Sequence, residues 1–234
     1  MLSLRQELAE LLRQAVDRAE LEGLWPHGLR PAVFSLIDTP RSVSGDVSWP
    51  GLRTLPQEYS VQIDHLADII RSSLQLTDCS RFCWRGCAAG FINFAWTEIG
   101  REWILRWAAA QACPNNFFAL PNELAYAVQR TLWLEKMAED QGQADLAAVS
   151  GEVWAAELLA QEEIALISAS ERAAWNCAKA KAMGKSDKAA IQIRLLAQEW
   201  GSYYERHTLL KGTAAQVRAR VALGRAVRAV LLLC

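Results

Sequence analysis

The residues most suggestive of phosphate chemistry are Gly184, Lys185 and Ser186, which have the order found at the end of a phosphate-binding loop. In such a loop the lysine contacts the phosphates and the hydroxyl contacts a magnesium ion. The motif also requires an earlier glycine at position 179, where this chain has Lys179. The sequence therefore predicts no nucleotide-binding loop at this point.

Acid–base and metal chemistry are also poorly represented. Asp38, Asp46 and Asp64 have no second carboxylate or histidine at a spacing that specifies proton transfer. The cysteines at positions 79, 83 and 87 match no zinc pattern, and the three histidines lie far from them in the sequence. We expect no catalytic residue, no metal site and no cofactor.

The formal net charge of −1 conceals two oppositely charged parts. Residues 171–234 contain twelve Lys and Arg against four Asp and Glu, a net charge of +8, whereas residues 1–170 contain thirteen basic and twenty-two acidic residues, a net charge of −9. A basic C-terminal quarter on an acidic body is typical of a protein that contacts a polyanion on one side. The alternative is a helix pair whose arginines are solvated on its outer face.

The composition is that of a folded protein. With 52% hydrophobic residues, 22% charged residues and ten Trp, a chain of 234 residues can form one large domain or two small ones. No apolar run approaches a membrane span, and residues 1–23 lack the apolar block of a signal peptide. The sequence predicts a cytoplasmic protein without membrane contact.

The first part of the chain, residues 1–112, is predicted to be a small α+β domain. Leucine and alanine recur at helical spacing over residues 2–21, which predicts an amphipathic helix. Residues 23–60 hold five of the seven prolines and short β-branched runs such as Ala32–Ile37, a pattern typical of strands and loops. The elements expected next are a helix over 63–76, antiparallel strands over about 81–86 and 90–96, and a helix that carries Ile99, Trp103 and Trp107.

Residues 113–122 contain two prolines and three asparagines and are predicted to be a linker. Asn122 is the expected N-cap of the next helix. Because no proline follows it, residues 123–234 are predicted to be an all-α helical bundle. The predicted fold class is therefore mainly α, with a small α+β N-terminal domain followed by this bundle. The expected helices cover about 123–140, 143–168, 171–183, 187–207 and 213–232, and in the fourth Ala189, Ile193, Leu196, Trp200 and Tyr203 trace one face.

Two stretches resemble arginyl-tRNA synthetase. The sequence AAGFINF, residues 88–94, resembles the Gly-aromatic-x-Asn-Phe segment of that family's N-terminal additional domain, where it also follows a strand and a small-residue turn. The sequence LLAQEWGSYYER, residues 195–206, is similar to the Leu-Ala-Gln-x-Phe-x-Ser-Phe-Tyr segment of the family's DALR anticodon-binding bundle. Residues 220–231 and, more loosely, 124–130 resemble the last and first helices of that bundle. The likeness touches both parts of the chain in the family's order.

The chain departs from the family where the catalytic domain should be. Between the two modules the family places its nucleotide-binding domain, and here only the linker intervenes. The His-x-Gly-His and KMSKS signatures of that domain are absent with it. The resemblance therefore implies a non-catalytic tRNA-binding protein, such as a regulator or chaperone of tRNA.

In the family, the additional domain contacts the tRNA D-loop. At the matching positions, the resemblance implies that Phe91 stacks on a D-loop base and that Asn93 hydrogen-bonds the edge of this base. Single-stranded RNA is read by this combination of an aromatic ring with an amide that both donates and accepts. The alternative is that Phe91 belongs to the sheet core and Asn93 is a polar residue at a strand end.

The family's bundle binds the anticodon stem and loop. Arg218 and Arg225 are seven residues apart, lie nearly on one line of a helix and could hold successive phosphates. Tyr204 would stack on an anticodon base, or else pack in the bundle with its hydroxyl bonded. The anticodon-arm-binding residues implied by the resemblance are Tyr126, Arg130, Tyr204, Arg218 and Arg225.

Three functions stay open at this point. The first is binding of tRNA, with tRNA-Arg as the expected partner. The second is a protein–protein adaptor, which would expose tryptophans in an apolar patch where the family has its basic groove. The third is a component that aminoacylates in trans with a separate catalytic chain, such as a synthetase. Because the chain as a whole is almost neutral, we expect its RNA binding to be weaker and more salt-sensitive than that of a full synthetase.

Overall fold

The structure of the protein, a computed structural model, describes residues 3–40, 43–77, 80–109, 120–142, 154–158 and 160–233, without the side chains of residues 108, 109 and 186. These residues form seven α-helices and one antiparallel sheet of four strands. The prediction of a mainly α protein with a small α+β region is confirmed. The chain divides into two compact units, residues 1–100 and 101–234.

Two helices of the N-terminal unit pack against each other. Helix α1 (Leu4–Leu21) begins with a capping box, in which the Ser3 hydroxyl accepts from the Gln6 N–H and the Gln6 side chain accepts from the Ser3 N–H. The apolar face of α1 is buried and packs on α2 (Ile63–Leu74). Both helices lie where the sequence predicts them. Helix α1 begins two residues later than predicted, and α2 ends two residues earlier.

The sheet of this unit has the strand order β1-β2-β4-β3, with every neighbouring pair antiparallel. The two long strands form the predicted hairpin, which turns at Ala89 and Gly90, both with positive φ. Glycine is required at the second position because a Cβ on Gly90 would lie 2.9 Å from the backbone nitrogen of Arg53. The strands are β1 (Ile37–Asp38), β2 (Val47–Trp49), β3 (Phe82–Ala88) and β4 (Phe91–Trp96).

Within residues 23–60, predicted to be strands and loops, the β-branched run Ala32–Ile37 contributes only Ile37 to a strand, β1. Contacts with Trp49 replace strand pairing: the indole N–H donates to the Val33 carbonyl at 2.8 Å, and the Phe34 ring stacks on the indole at 5.7 Å. Residues 51–54 and 57–62, predicted as strands or loops, form 3-10 turns.

The described part of the C-terminal unit is mainly helical. Helices α4 to α7 pack on one another, and α3 runs across the boundary between the units. The apolar face predicted for the helix over 187–207, which is α6, is confirmed, because all five residues of this face are buried. The helices are α3 (Glu98–Ala109), α4 (Asn122–Asp140), α5 (Gln161–Ala182), α6 (Ser186–Arg206) and α7 (Ala214–Leu231).

The predicted break between helices at residues 168–171 is wrong, because α5 continues through it. The polar residues there are accommodated within the helix: the Ser170 hydroxyl donates to the Leu166 carbonyl at 2.8 Å, and Glu171 is buried. The predicted helix over 143–168 begins outside the described residues, and the prediction is wrong at residues 154–158, because α5 begins only at Gln161. The described part of this range includes a turn at 154–158, whose first two N–H groups, of Trp154 and Ala155, donate to the buried carboxylate of Glu102.

The predicted linker, residues 113–122, lies outside the described residues up to position 119. The prediction that Asn122 is the N-cap is wrong, because Asn122 is the first residue of α4. The cap position is occupied by Pro121, whose extended ψ of 145° makes the transition into the helix, without a side-chain capping bond.

A buried carboxylate, Glu163, joins three helices of the C-terminal unit. One of its oxygens, Oε1, accepts from the Tyr203 hydroxyl of α6 and from Arg220 Nε of α7, both at 2.8 Å. Its other oxygen accepts from the N–H of Ala160 at the start of α5. The Glu163 side chain is only 2% exposed and that of Arg220 is 19% exposed, so the carboxylate lies inside the bundle and its arginine partner is largely buried. Burial, followed by the bond to Glu163, raises the pKa of the Tyr203 hydroxyl, which stays protonated and donating.

Replacing Glu163 with alanine should strongly destabilise the protein. The change leaves the Arg220 guanidinium in a largely buried place without its anion, and losing one partner of a buried ion pair typically costs about 3–5 kcal/mol. Tyr203→Phe removes only one donor and should cost about 1 kcal/mol. Urea denaturation measures the free energy of unfolding of each variant. The matched control is Glu162→Ala, at a more exposed carboxylate one residue earlier; an equal loss in Glu163→Ala and this control would contradict the assignment.

Candidate functional site

A concave site lies on the surface of the C-terminal unit between α4 and α6. It encloses about 300 Å³, at the lower end of the range of small-molecule sites. Four of its residues recur at spacings of three and four along α4, so one face of this helix forms most of the wall, and α6 supplies the last. The lining residues are Tyr126, Gln129, Arg130, Trp133 and Tyr204. We call this site the aromatic cavity.

Arg130 holds the walls of the aromatic cavity together. Its Nη2 donates to the Tyr126 hydroxyl at 2.8 Å and to Glu205 at 2.9 Å, and its Nη1 donates to the Gly201 carbonyl at 3.2 Å. The guanidinium carbon lies 4.3 Å from the ring centre of Tyr126 and 5.0 Å from that of Tyr204. One side chain of α4 thus bonds to two residues of α6 and contacts both tyrosine rings.

The charge of Arg130 is balanced within the site. Burial lowers the pKa of this guanidinium, but the hydrogen bonds to Glu205 and Tyr126 outweigh burial and raise it. The arginine side chain is 14% exposed, so its rigid plane forms part of the cavity wall rather than a mobile charge in solvent.

Two aromatic side chains of α4, Tyr126 and Trp133, are unusually exposed to solvent. Tyr126 is 57% exposed and Trp133 is 58% exposed. On the α6 side, the ring of Tyr204 is half-buried and lies 6.1 Å from the buried Trp200. Aromatic faces and a guanidinium plane stack on flat ring systems, and the amide of Gln129 can both donate to and accept from the edge of such a ring. The arrangement suits a planar heteroaromatic ligand.

The structure brings together three of the five residues predicted for the bundle, Tyr126, Arg130 and Tyr204. Sequence reasoning missed Gln129 and Trp133. Their signal was present in the chain, since they lie three and seven residues after Tyr126 and therefore on the same face of α4. The other two predicted residues, Arg218 and Arg225, lie on α7 and do not line the aromatic cavity.

Arg225 is held in an ion-pair cluster between α4 and α7. The two carboxylate oxygens of Glu135 accept hydrogen bonds from Arg225 Nε and from Arg228 Nη1, one guanidinium to each oxygen. Burial raises the pKa of Glu135, but the bonds from Arg228 and Arg225 outweigh it and hold the pKa below its ordinary value. A phosphate that binds Arg225 must compete with this carboxylate.

The two residues predicted for D-loop binding belong to the N-terminal unit. Asn93 is buried in β4, and its side-chain oxygen accepts from the Ser48 hydroxyl of β2 at 2.6 Å, directly across the paired strands. This placement favours the structural alternative for Asn93. Phe91 is half-buried at the start of β4, with the Arg53 guanidinium 5.3 Å from its ring centre.

Comparisons of the chain with protein-family models, with curated proteins and with solved structures gave no match. Within the described part of the chain, no three His, Cys, Asp or Glu residues are grouped so that they could hold a metal ion. None of the described helices is both long and apolar enough to cross a membrane.

The effect of Glu135→Gln on stability should depend on pH. A carboxyl whose pKa is lower in the folded chain stabilises the fold above its unfolded pKa of about 4.5, and this contribution disappears as the pH falls through the folded pKa. The variant should therefore be clearly less stable than the parent near pH 7, and the difference should shrink towards about pH 3. Urea denaturation across this pH range measures the effect. Glu139→Gln, at an exposed position one turn further along α4, is the control; a constant loss in Glu135→Gln at all pH values would refute the ion-pair explanation.

Proposed function

We propose that the chain is a non-catalytic, cytoplasmic tRNA-binding protein, similar to the two tRNA-recognition modules of arginyl-tRNA synthetase. The observation that carries the proposal is the meeting of Tyr126, Arg130 and Tyr204 in one cavity. The resemblance implied these residues as anticodon contacts, although they come from sequence segments that lie far apart. Their convergence on an open site supports a shared ligand.

The chemistry of the aromatic cavity fits an unpaired RNA base. Sequence-specific RNA recognition takes bases from loops and places them on aromatic rings or guanidinium planes, with hydrogen bonds to the base edge. The aromatic cavity supplies both kinds of surface, and Gln129 supplies an amide at its wall. In the proposed complex, an anticodon-loop base of tRNA-Arg occupies the site.

Lysines near the turn between α5 and α6 extend the proposed contact to the RNA backbone. Lys179, Lys181, Lys185 and Lys188 are all exposed, within a C-terminal quarter of net charge +8. Positive charges of this kind position a polyanion without reading its sequence. In the N-terminal unit, Phe91 and the adjacent Arg53 offer the surface for a D-loop base, whereas Asn93 contributes to the sheet.

A protein–protein adaptor is the second candidate function. It is favoured by one observation, the 58% exposure of Trp133 beside the exposed Tyr126. A partner that buries an aromatic side chain would use the same cavity wall, because tyrosine and tryptophan dominate protein interfaces. An RNA-binding assay separates the two candidates.

The proposal is tested by titrating total tRNA against the purified chain at low salt. We expect saturable binding, and Tyr126→Ala combined with Tyr204→Ala should weaken it by about tenfold or more, since each base–aromatic stack contributes about 1–3 kcal/mol. Filter binding or fluorescence anisotropy gives the dissociation constants. Tyr59→Ala, in the N-terminal unit, is the matched control and should leave binding unchanged.

Two results would overturn the proposal. One is the absence of saturable tRNA binding below about 10 μM. The other is arginine-dependent pyrophosphate exchange by the purified chain alone, which would make it an enzyme. Pyrophosphate exchange that appears only when a separate synthetase chain is added, and that rises with the amount of this chain, would favour the in-trans role over a regulator or chaperone.

A further inference from the structure

We propose that the aromatic cavity binds a single unpaired nucleobase through the ring alone, so that neither a phosphate nor a ribose phosphate contributes appreciably to affinity at this site. The proposal rests on the proposed function for the source of the base, and it specifies the ligand class of the site more narrowly. For this cavity we therefore expect binding that depends little on salt, in contrast to the salt-sensitive binding that the sequence predicts for the whole chain.

The cation in the cavity wall is already neutralised by an ion pair. Arg130 donates to the Glu205 carboxylate, to the Tyr126 hydroxyl and to the Gly201 carbonyl. A phosphate on Arg130 would have to displace Glu205 or lie beside its negative charge, and like charges in contact repel. A neutral ring that stacks on the guanidinium plane requires no such displacement.

Other arginines of this unit are also paired with carboxylates. Glu135 accepts from both Arg225 and Arg228, and the buried Glu163 accepts from Arg220. On the surface, further pairs join Arg194 with Glu123 and Arg172 with Glu199. Of the two arginines predicted to hold phosphates along α7, Arg225 therefore reaches RNA only after its pair with Glu135 is broken. Within the aromatic cavity the ring contacts are the direct source of affinity, and the exposed lysines near the turn between α5 and α6 contact the RNA backbone outside it.

Three of the five wall residues are held in place before a ligand arrives. The contacts of Arg130 with the rings of Tyr126 and Tyr204 hold both tyrosines in place, and Tyr204 also contacts the buried Trp200. A preformed site loses little side-chain entropy on binding. Such a site, with a volume of about 300 Å³, can hold one ring system with measurable affinity in the absence of the rest of the RNA.

The experiment compares nucleosides with phosphorylated ligands on the full chain. Each of the four ribonucleosides, the four 5′-monophosphates and ribose 5-phosphate is titrated by NMR or calorimetry at low salt and at a tenfold higher salt concentration. We expect at least one nucleoside to bind in the millimolar range or tighter, its monophosphate to bind within about threefold of it at both salt concentrations, and ribose 5-phosphate not to compete.

Variants connect this binding to the cavity. Trp133→Ala should weaken the nucleoside by about fivefold or more, the loss typical of one base–aromatic stack. Leu132→Ala is the matched control, because Leu132 is an exposed apolar neighbour on α4 outside the cavity lining and its removal should change nothing. Circular dichroism of both variants checks that the bundle is folded.

The inference is overturned if no nucleoside binds up to about 10 mM, if a monophosphate binds more than about tenfold tighter than its nucleoside, or if ribose 5-phosphate competes. Tighter binding of N-acetyltyrosinamide than of every nucleoside would also overturn it, in favour of an aromatic side chain of a protein partner.

These outcomes are distinct from failure of the proposed function. Binding of tRNA without nucleoside binding overturns only the inference, whereas nucleoside binding without tRNA binding supports the inference and overturns only the proposed function.

Discussion

The carboxylate of Glu163 is the contact on which the arrangement of the C-terminal unit depends. It lies at the start of α5 and accepts from Tyr203 on α6 and from Arg220 on α7, so one buried anion fixes the relative positions of three helices. The cost of burying this charge is offset only if all of its partners are in place, which ties the three helices to one arrangement. Tyr203 and Tyr204 are neighbours on α6. The network that fixes the first therefore also sets the direction in which the second points.

Arg130 performs a similar task at the surface, but in an open site. It links α4 to α6 through Gly201 and Glu205 and lies against the rings of Tyr126 and Tyr204. The bundle therefore has two kinds of arginine–carboxylate contact. Those of Glu163 and Glu135 hold helices together in partly or fully buried places, whereas that of Arg130 shapes a cavity that a ligand can enter. The charge balance of the unit is consequently local, and the net positive charge of residues 171–234 does not measure their capacity to bind phosphate.

Local signals in the sequence predicted most of the helices and the central hairpin. The capping box at Ser3, the leucine spacing of α1 and the apolar face of α6 all act within a few residues, where intrinsic preference and burial agree. Where the structure departs from these signals, the cause is a distant side chain in one case and a local hydrogen bond in another. Ala32–Ile37 has strand composition, yet Trp49 takes its backbone and ring contacts. The break expected near Ser170 fails because its hydroxyl bonds within the helix and causes no interruption.

The sequence by itself determined the fold class, the helical periodicity and the concentration of basic residues in the C-terminal quarter, because these depend on composition and on neighbours along the chain. Only the tertiary structure decided which charges are available. Glu135 and Arg225 are ninety positions apart, so no spacing rule predicts their pairing. The same holds for the aromatic cavity: its α4 wall follows from helical spacing, but the approach of Tyr204 depends on the packing of α6 against α4. Long-range packing brings such groups together, and a linear sequence records it only indirectly.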